Sequence, residues 1–315
     1  MTLNEIWAKA RELMAPNCRA CPVCNGRACK GEVPGVGAMG DGSSWTVCTE
    51  FLERVKVRMD TLHEPWTPDA STELFGVRLA APLCLAPIGG MSHNYNGAIT
   101  DEYWSNSAAS GCRDAGILAF TGDNAKIIKR AEACAEAGCP AIACDVDTAA
   151  YANMGSAVSE LCAKSVDDLA EIARNSPIPF VVKGVMTAEG ALKCADAGCS
   201  GIIVSTHGGR VITSAQSTAE VLPEIRAAVG DRLTVIVDGG IRTGYDIFKV
   251  LALGADAAMI GRPFVVAAVG GSALDGGAEG VALYADAKRA ELENLMIMTN
   301  CRTVDAITAD RVVIS

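Results

Sequence analysis

The chain has 315 residues, half of them hydrophobic and a fifth charged, enough for a large core and within the size range of a single (β/α)8 barrel. Its 27 basic and 37 acidic residues give a formal charge of −10, which argues against nucleic acid as the main partner. No apolar run reaches the roughly 20 residues of a membrane span, and the opening MTLNEIWAKARELM reads as an amphipathic helix rather than a signal peptide. The expectation is a cytoplasmic protein with no membrane partner.

Residues 1–15 predict a leading helix. Next comes NCRACPVCNGRACKG, which places Cys18, Cys21, Cys24 and Cys29 at the spacing C-x2-C-x2-C-x4-C. Such a run fits a [4Fe–4S] cluster, whose bacterial ligand runs are similarly short. It also fits structural zinc, or disulfides or plain thiols. Other cysteines (Cys84, Cys112, Cys134, Cys144, Cys194) sit singly in apolar segments and read as reduced core thiols. A Gly-rich loop, GEVPGVGAMGDGSSW, leads to a second predicted helix carrying Glu50 to Val57. TELFGVRLAAPL then reads as a short hairpin or lid. Residues 1–50 are read as one N-terminal unit of helix, cysteine run and loop, and 51–315 as the barrel.

From there strand and helix alternate, which implies a parallel sheet. LCLAPIGG is the first strand and GILAFTG the second, with a helix over Tyr103–Ala115 between them. A helix at Ile127–Gly138 precedes AIACDVD; VVKG, GIIVST, LTVIVDGG and DAAMIG follow. AEACAEAGCPAIACD and ALKCADAGCSGIIVS echo one another, as repeated β/α units would. The count is seven strands.

Polar groups cluster at the carboxyl ends of these strands, where β/α enzymes keep their chemistry. FVVKG contains Lys183; GIIVST runs into Ser205, Thr206, His207, Gly208, Gly209 and Arg210. The plainer reading is a surface loop that happens to hold His and Arg. After the last two strands come Gly239, Gly240 and Arg242, then Gly261 and Arg262. Glycines let backbone N–H groups close on a phosphate and arginines supply charge, at the usual barrel phosphate position. The alternative there is ordinary glycine turns with surface arginines.

Taken together, VVKG, STHGGR, VDGGIRTGYDIFKVLALGA and IGRP resemble the FMN-dependent α-hydroxy-acid oxidase and dehydrogenase family, which includes glycolate oxidase, lactate oxidase and mandelate dehydrogenase. The resemblance runs from about Phe51 to Ile307. It implies a (β/α)8 TIM barrel in which the third strand is apparently absent, and FMN-dependent oxidation of a small 2-hydroxy acid to the 2-oxo acid. By the same resemblance His207 is the base, Asp147 its orienting partner, Arg210 the substrate carboxylate's fork, and Lys183 the cation at the flavin's pyrimidine edge. Ala86, Pro87 and Ile88 would lie beside the ring, Thr121 would offer a hydroxyl, and Ser205 would meet the ribityl chain. Asp238, Gly239, Gly240, Arg242, Gly261 and Arg262 complete the cofactor-binding set.

The chain also departs from that pattern. The family's second substrate-binding arginine falls near Met154, its N-terminal tyrosine falls around Val33–Pro34, and Asp145 stands where a threonine is usual. The third strand, with its glutamine and tyrosine, has no counterpart in residues 123–140. Either it is deleted, or residues are skipped after Asn124; exposed edges between buried parallel strands favour the second. The alternatives to a hydroxy-acid oxidase are an isopentenyl-diphosphate isomerase-like barrel, against which HGGR argues, and a flavin- or metal-binding sensor without turnover. The expected partners are the hydroxy acid, an electron-acceptor protein and further copies of the chain in a homo-oligomer.

Overall fold

The computed structural model describes residues 1–33, 35–120, 127–150 and 163–315. Helix α1 (Leu3–Met14) starts at a capping box in which Thr2 and Glu5 satisfy each other's backbone N–H groups. After the cysteine run and Gly-rich loop comes α2 (Ser43–Arg54), then β1 (Val55–Val57). The expected helix over Glu50–Val57 is thereby corrected. Left-handed Gly42 ends the loop early, so the helix opens at Ser43; the alternating valines of VKV go into a strand instead. That strand pairs antiparallel with β11 (Val312–Ile314), Val55 opposite Ile314.

The hairpin β2 (Thr72–Leu74) and β3 (Val77–Leu79) forms as expected. Then come β4 (Leu83–Leu85), the short α3 (Met91–Asn94), α4 (Asp101–Ala115) and β5 (Leu118–Ala119). Beyond residues 121–126 lie α5 (Ile127–Glu136) and β6 (Ile142–Asp145). They are followed by α6 (Val166–Asn175), β7 (Phe180–Lys183), α7 (Ala188–Asp196) and β8 (Gly201–Val204). The chain finishes through α8 (Leu222–Val229), β9 (Thr234–Asp238), α9 (Gly244–Ala252), β10 (Ala257–Ile260), α10 (Arg262–Ser272) and α11 (Gly277–Met298). Ser165 and Thr243 cap α6 and α9 in the same reciprocal way as Thr2.

Among the described residues seven parallel strands form one sheet in the order β5-β4-β10-β9-β8-β7-β6. The strands β4, β7, β8 and β10 are buried along their whole length, which is why they read as unbroken apolar runs. One face carries Cys84, Val181, Ile203, Ile236 and Met259 inward, together with Leu74 and Leu79 of the hairpin. Phe75, at the hairpin's turn, sits 3.3 Å from where a Cβ on Gly201 would be, at the amino end of β8. The hairpin therefore plugs the amino end and leaves the carboxyl ends open for chemistry. The other face packs on the helices, with Phe180, Phe248 and Phe264 fully buried, each worth about 1.5–3 kcal/mol of burial. Helix α1 lies on α10, and Ala10 and Met14 join the same buried cluster as Phe51, Leu52 and the barrel strands.

The place of an eighth strand, between β5 and β6, falls where the chain runs through residues 121–126, outside the described residues. Cys84, Cys112, Cys144 and Cys194 are buried as expected, but Cys134, in α5, is only half-buried. Among the described residues no helix is long and apolar enough to cross a membrane.

Candidate active site

The carboxyl ends of the strands open on a cavity of about 260 Å³. Parallel register sets Asp145 at the end of β6 beside Lys183 at the end of β7, and the two side chains form a buried ion pair. The Lys183 ammonium also lies 3.3 Å from His207 Nδ1. Burial pulls this lysine's pKa down, but Asp145, Asp238 and Asp147 together outweigh it and hold it above its ordinary value.

His207 Nδ1 is 3.3 Å from Asp147 Oδ1 and 3.6 Å from Asp145 Oδ1. With Nδ1–H donated to Asp147, Nε2 becomes the unprotonated nitrogen, and His207 lines the cavity. Asp145, Asp147 and His207 bring their donor atoms within 4.8 Å of one another, as a metal site would. Here the Lys183 ammonium already supplies the cation.

His207 stands on an unusual turn. Its φ is +54°, and Gly208 and Gly209 follow at +63° and +73°. A left-handed non-glycine residue costs on the order of 1–3 kcal/mol and is found where the surroundings enforce it. The glycines are needed twice over. A Cβ on Gly208 would lie 2.5 Å from an Arg262 nitrogen, and one on Gly209 would press on Ala38 and Trp45 at 3.1 Å. Ser205, expected at the ribityl chain, lies beneath the lining, and its hydroxyl accepts the His207 backbone N–H at 3.0 Å. Thr206 faces the cavity instead.

Arg210 donates to Gly35 O, to Gly37 O at 3.3 Å and to Asn94 Oδ1 at 3.3 Å. Met39 N–H donates to Gly209 O at 2.8 Å, so the Gly-rich loop is laced to the histidine turn. On the far side Gly239, Gly240 and Arg242 after β9 meet Gly261 and Arg262 after β10, as expected for one phosphate site. Gly240 has φ +78°, and a Cβ there would meet the Cys48 backbone at 2.7 Å. Both arginines also hold the N-terminal segment. Arg262 donates to Val36 O at 2.7 Å and stacks 3.7 Å over the Trp45 ring, and Arg242 donates to Cys24 O at 2.8 Å.

Ala86, Pro87 and Ile88 line the cavity with Met259. Thr121 and Met154 lie outside the described residues. Asp238 Oδ1 and Thr206 Oγ1 are buried without a hydrogen-bond partner among the described residues. Burial pushes the Asp238 carboxyl up, against the pull of Lys183. Sequence reasoning missed Trp45, Cys48, Asn94 and Tyr95, all of which line the cavity. Trp45 and Cys48 share the inward stripe of α2 with Phe51 and Leu52, a periodicity lost by starting the helix at Glu50. Asn94 and Tyr95 follow the first barrel strand directly, at the rim where polar residues carry weight.

Cys18, Cys21, Cys24 and Cys29 line a second, smaller cavity that shares Trp45, Tyr95 and Arg262 with the first. Burial raises the Cys18 thiol and pushes the Cys29 thiol up to about 11.

A family model described as FMN-dependent dehydrogenase matches residues 151–314, just over half of the chain. The chain belongs to this FMN-dependent dehydrogenase family. Over 158 residues the chain is 45% identical to an L-lactate oxidase of Lactobacillus jensenii, a match that takes in 49% of the chain and only 38% of that relative's length. It is 30% identical to a peroxisomal (S)-2-hydroxyacid oxidase of Arabidopsis thaliana, with 84% of the chain and 86% of the relative aligned. That alignment runs over 325 positions, whereas 84% of 315 residues is about 265, so about 60 positions have no residue of this chain. A crystal structure of a mandelate oxidase variant with 2-hydroxy-phenylacetamide superposes with a TM-score of 0.79 at 25% identity, covering 99% of this chain and 97% of that one. The fold of the chain is thus the TIM barrel of these enzymes, with seven parallel strands among the described residues.

FMN is the cofactor of the family, and the residues present fit it. The paired glycine–arginine loops and the amino end of α10 suit a phosphate. The unpartnered Asp238 and Thr206 oxygens suit a polyol chain, and Ala86–Ile88 with Met259 offer an apolar wall for a ring.

Proposed function

We propose that the protein oxidises a small 2-hydroxy acid to the 2-oxo acid, with residues 51–315 as the flavin-binding barrel and residues 1–50 as its cover. The observation that carries this reading is His207 backed by Asp147 at 3.3 Å, three residues from Arg210 on one strained turn facing the glycine–arginine cavity. FMN, held by Gly239, Gly240, Arg242, Gly261 and Arg262, supplies the acceptor for a hydride equivalent when bound.

The chain's own residues do the rest. Arg210 forks onto the substrate carboxylate, exchanging its Gly35 and Gly37 carbonyl partners for the two carboxylate oxygens. His207 Nε2 takes the substrate proton, and the Asp147 carboxylate steadies the imidazolium and fixes its tautomer. Lys183 contributes a permanent positive charge at the cavity wall, tempered by Asp145 where the family has a threonine. An isomerase-like reading leaves Arg210 without a carboxylate to bind.

Anaerobic titration of the FMN-loaded protein with lactate, glycolate and mandelate tests the reading. Bleaching of the flavin by at least one acid is expected, slowed about 10²–10⁴-fold in His207→Ala with FMN still bound. No bleaching by any hydroxy acid, or reduction of the His207→Ala variant at the parent rate, overturns it.

A further inference from the structure

We propose that Cys18, Cys21, Cys24 and Cys29 bind one [4Fe–4S] cluster in the small cavity behind Trp45 and Arg262. The four thiols, from a single twelve-residue stretch, all face that cavity. The loop is shaped to bring them there. Gly26, at φ +82°, lies so flat on the Trp45 indole that a Cβ would sit 2.6 Å from the ring. Arg19 bridges Ala28 O at 2.7 Å and Glu32 at 3.1 Å, which closes the loop on itself.

Three features favour a cluster over a single zinc ion. Tetrahedral zinc with Zn–S near 2.3 Å draws its sulfurs to about 3.8 Å from one another, yet no three of these sulfurs lie within 4.8 Å. The cavity measures about 40 Å³, room for about three waters rather than one ion. Its wall is largely apolar, with Arg19, Asn25, Tyr95 and Arg262 as the polar members besides the thiols, and two sulfurs already receive N–H donors. Ala20 N–H reaches Cys18 Sγ at 3.4 Å and Arg242 reaches Cys24 Sγ at 3.9 Å. Hydrogen bonds to sulfur and nearby cations stabilise a cluster carrying four thiolates. On binding, four S–H protons leave to solvent and four Fe–S bonds replace them, the core being supplied as two ferrous ions, two ferric ions and four inorganic sulfides, so that no electron changes hands.

The site stands apart from the hydroxy-acid reading and is tested without turnover. The full chain, purified without oxygen, is assayed for iron, acid-labile sulfide, zinc and FMN separately, and by electron paramagnetic resonance after dithionite reduction. About four irons and four sulfides per chain and a reduced-cluster signal are expected, with most of the iron lost in Cys21→Ser and Cys24→Ser and retained in Cys139→Ser. Zinc in one-to-one amount, or neither metal after anaerobic reconstitution with iron and sulfide, overturns the proposal, as does full iron in both ligand variants. Should the variants fail to fold, the iron, sulfide and resonance of the unaltered chain decide the matter alone.

Discussion

Lys183→Met is the most telling single change. The ammonium is 5% exposed and its partner Asp145 13%, so solvent screens the pair little, and Asp238 and Asp147 also depend on the same charge. Removing one member of a buried pair leaves the other charged and desolvated, at a cost of about 3–5 kcal/mol. Against a total stability on the order of 5–15 kcal/mol, that is a large share. The cost also depends on pH. Asp238 sits above its ordinary value through burial, despite Lys183. A raised carboxyl favours the folded state fully below the unfolded value of about 3.9, and that advantage is lost as pH rises through the folded value. Taking the lysine away lifts Asp238 further, so the deficit should be widest near neutrality and narrow towards acid. Urea unfolding of flavin-free protein, followed by circular dichroism at several pH values, measures it. Asp145→Asn in the same background should restore part of the loss, with a coupling of at least about 1 kcal/mol. A deficit independent of pH, or strictly additive with Asp145→Asn, would refute the argument.

Two further changes address binding. Arg210→Ala should weaken hydroxy-acid binding at least tenfold while leaving FMN uptake intact, read by flavin perturbation with a non-reacting carboxylate; tight binding in that variant places the clamp elsewhere. Gly240→Ala forces a Cβ to within 2.7 Å of the Cys48 backbone at φ +78°, so it should cost about 1–3 kcal/mol and lower FMN affinity in fluorescence titration. Unchanged affinity and stability would show that the backbone there yields easily.

The strand order and the rim residues were legible because buried parallel strands leave an unambiguous apolar run and end abruptly in polar groups. Lys183, His207, Arg210 and both glycine–arginine loops were found that way, and all line one cavity. What stayed hidden depends on distant pairing. Asp145 looked like a simple departure from the family pattern, yet the β6–β7 register makes it the partner of Lys183. Asn94 and Tyr95 lie in a four-residue helix and its cap, too short to leave a period. Ser205 matched its motif but points its hydroxyl to the following backbone, a choice no alternation pattern encodes. The cysteine spacing suggested a shared ligand; that the four cysteines line one largely apolar cavity next to Arg262 required three dimensions.

Arg262 and Trp45 form a party wall between the two cavities. The guanidinium is fixed by Val36 O and Gly208 O and stacked on the indole, so it cannot adjust to an occupant on one side without being displaced on the other. Occupancies of the two cavities are therefore expected to be linked. An occupant of the cysteine pocket that shifts this guanidinium should change the affinity for an anion on the barrel side, and by linkage that anion should then change the affinity of the pocket by the same factor.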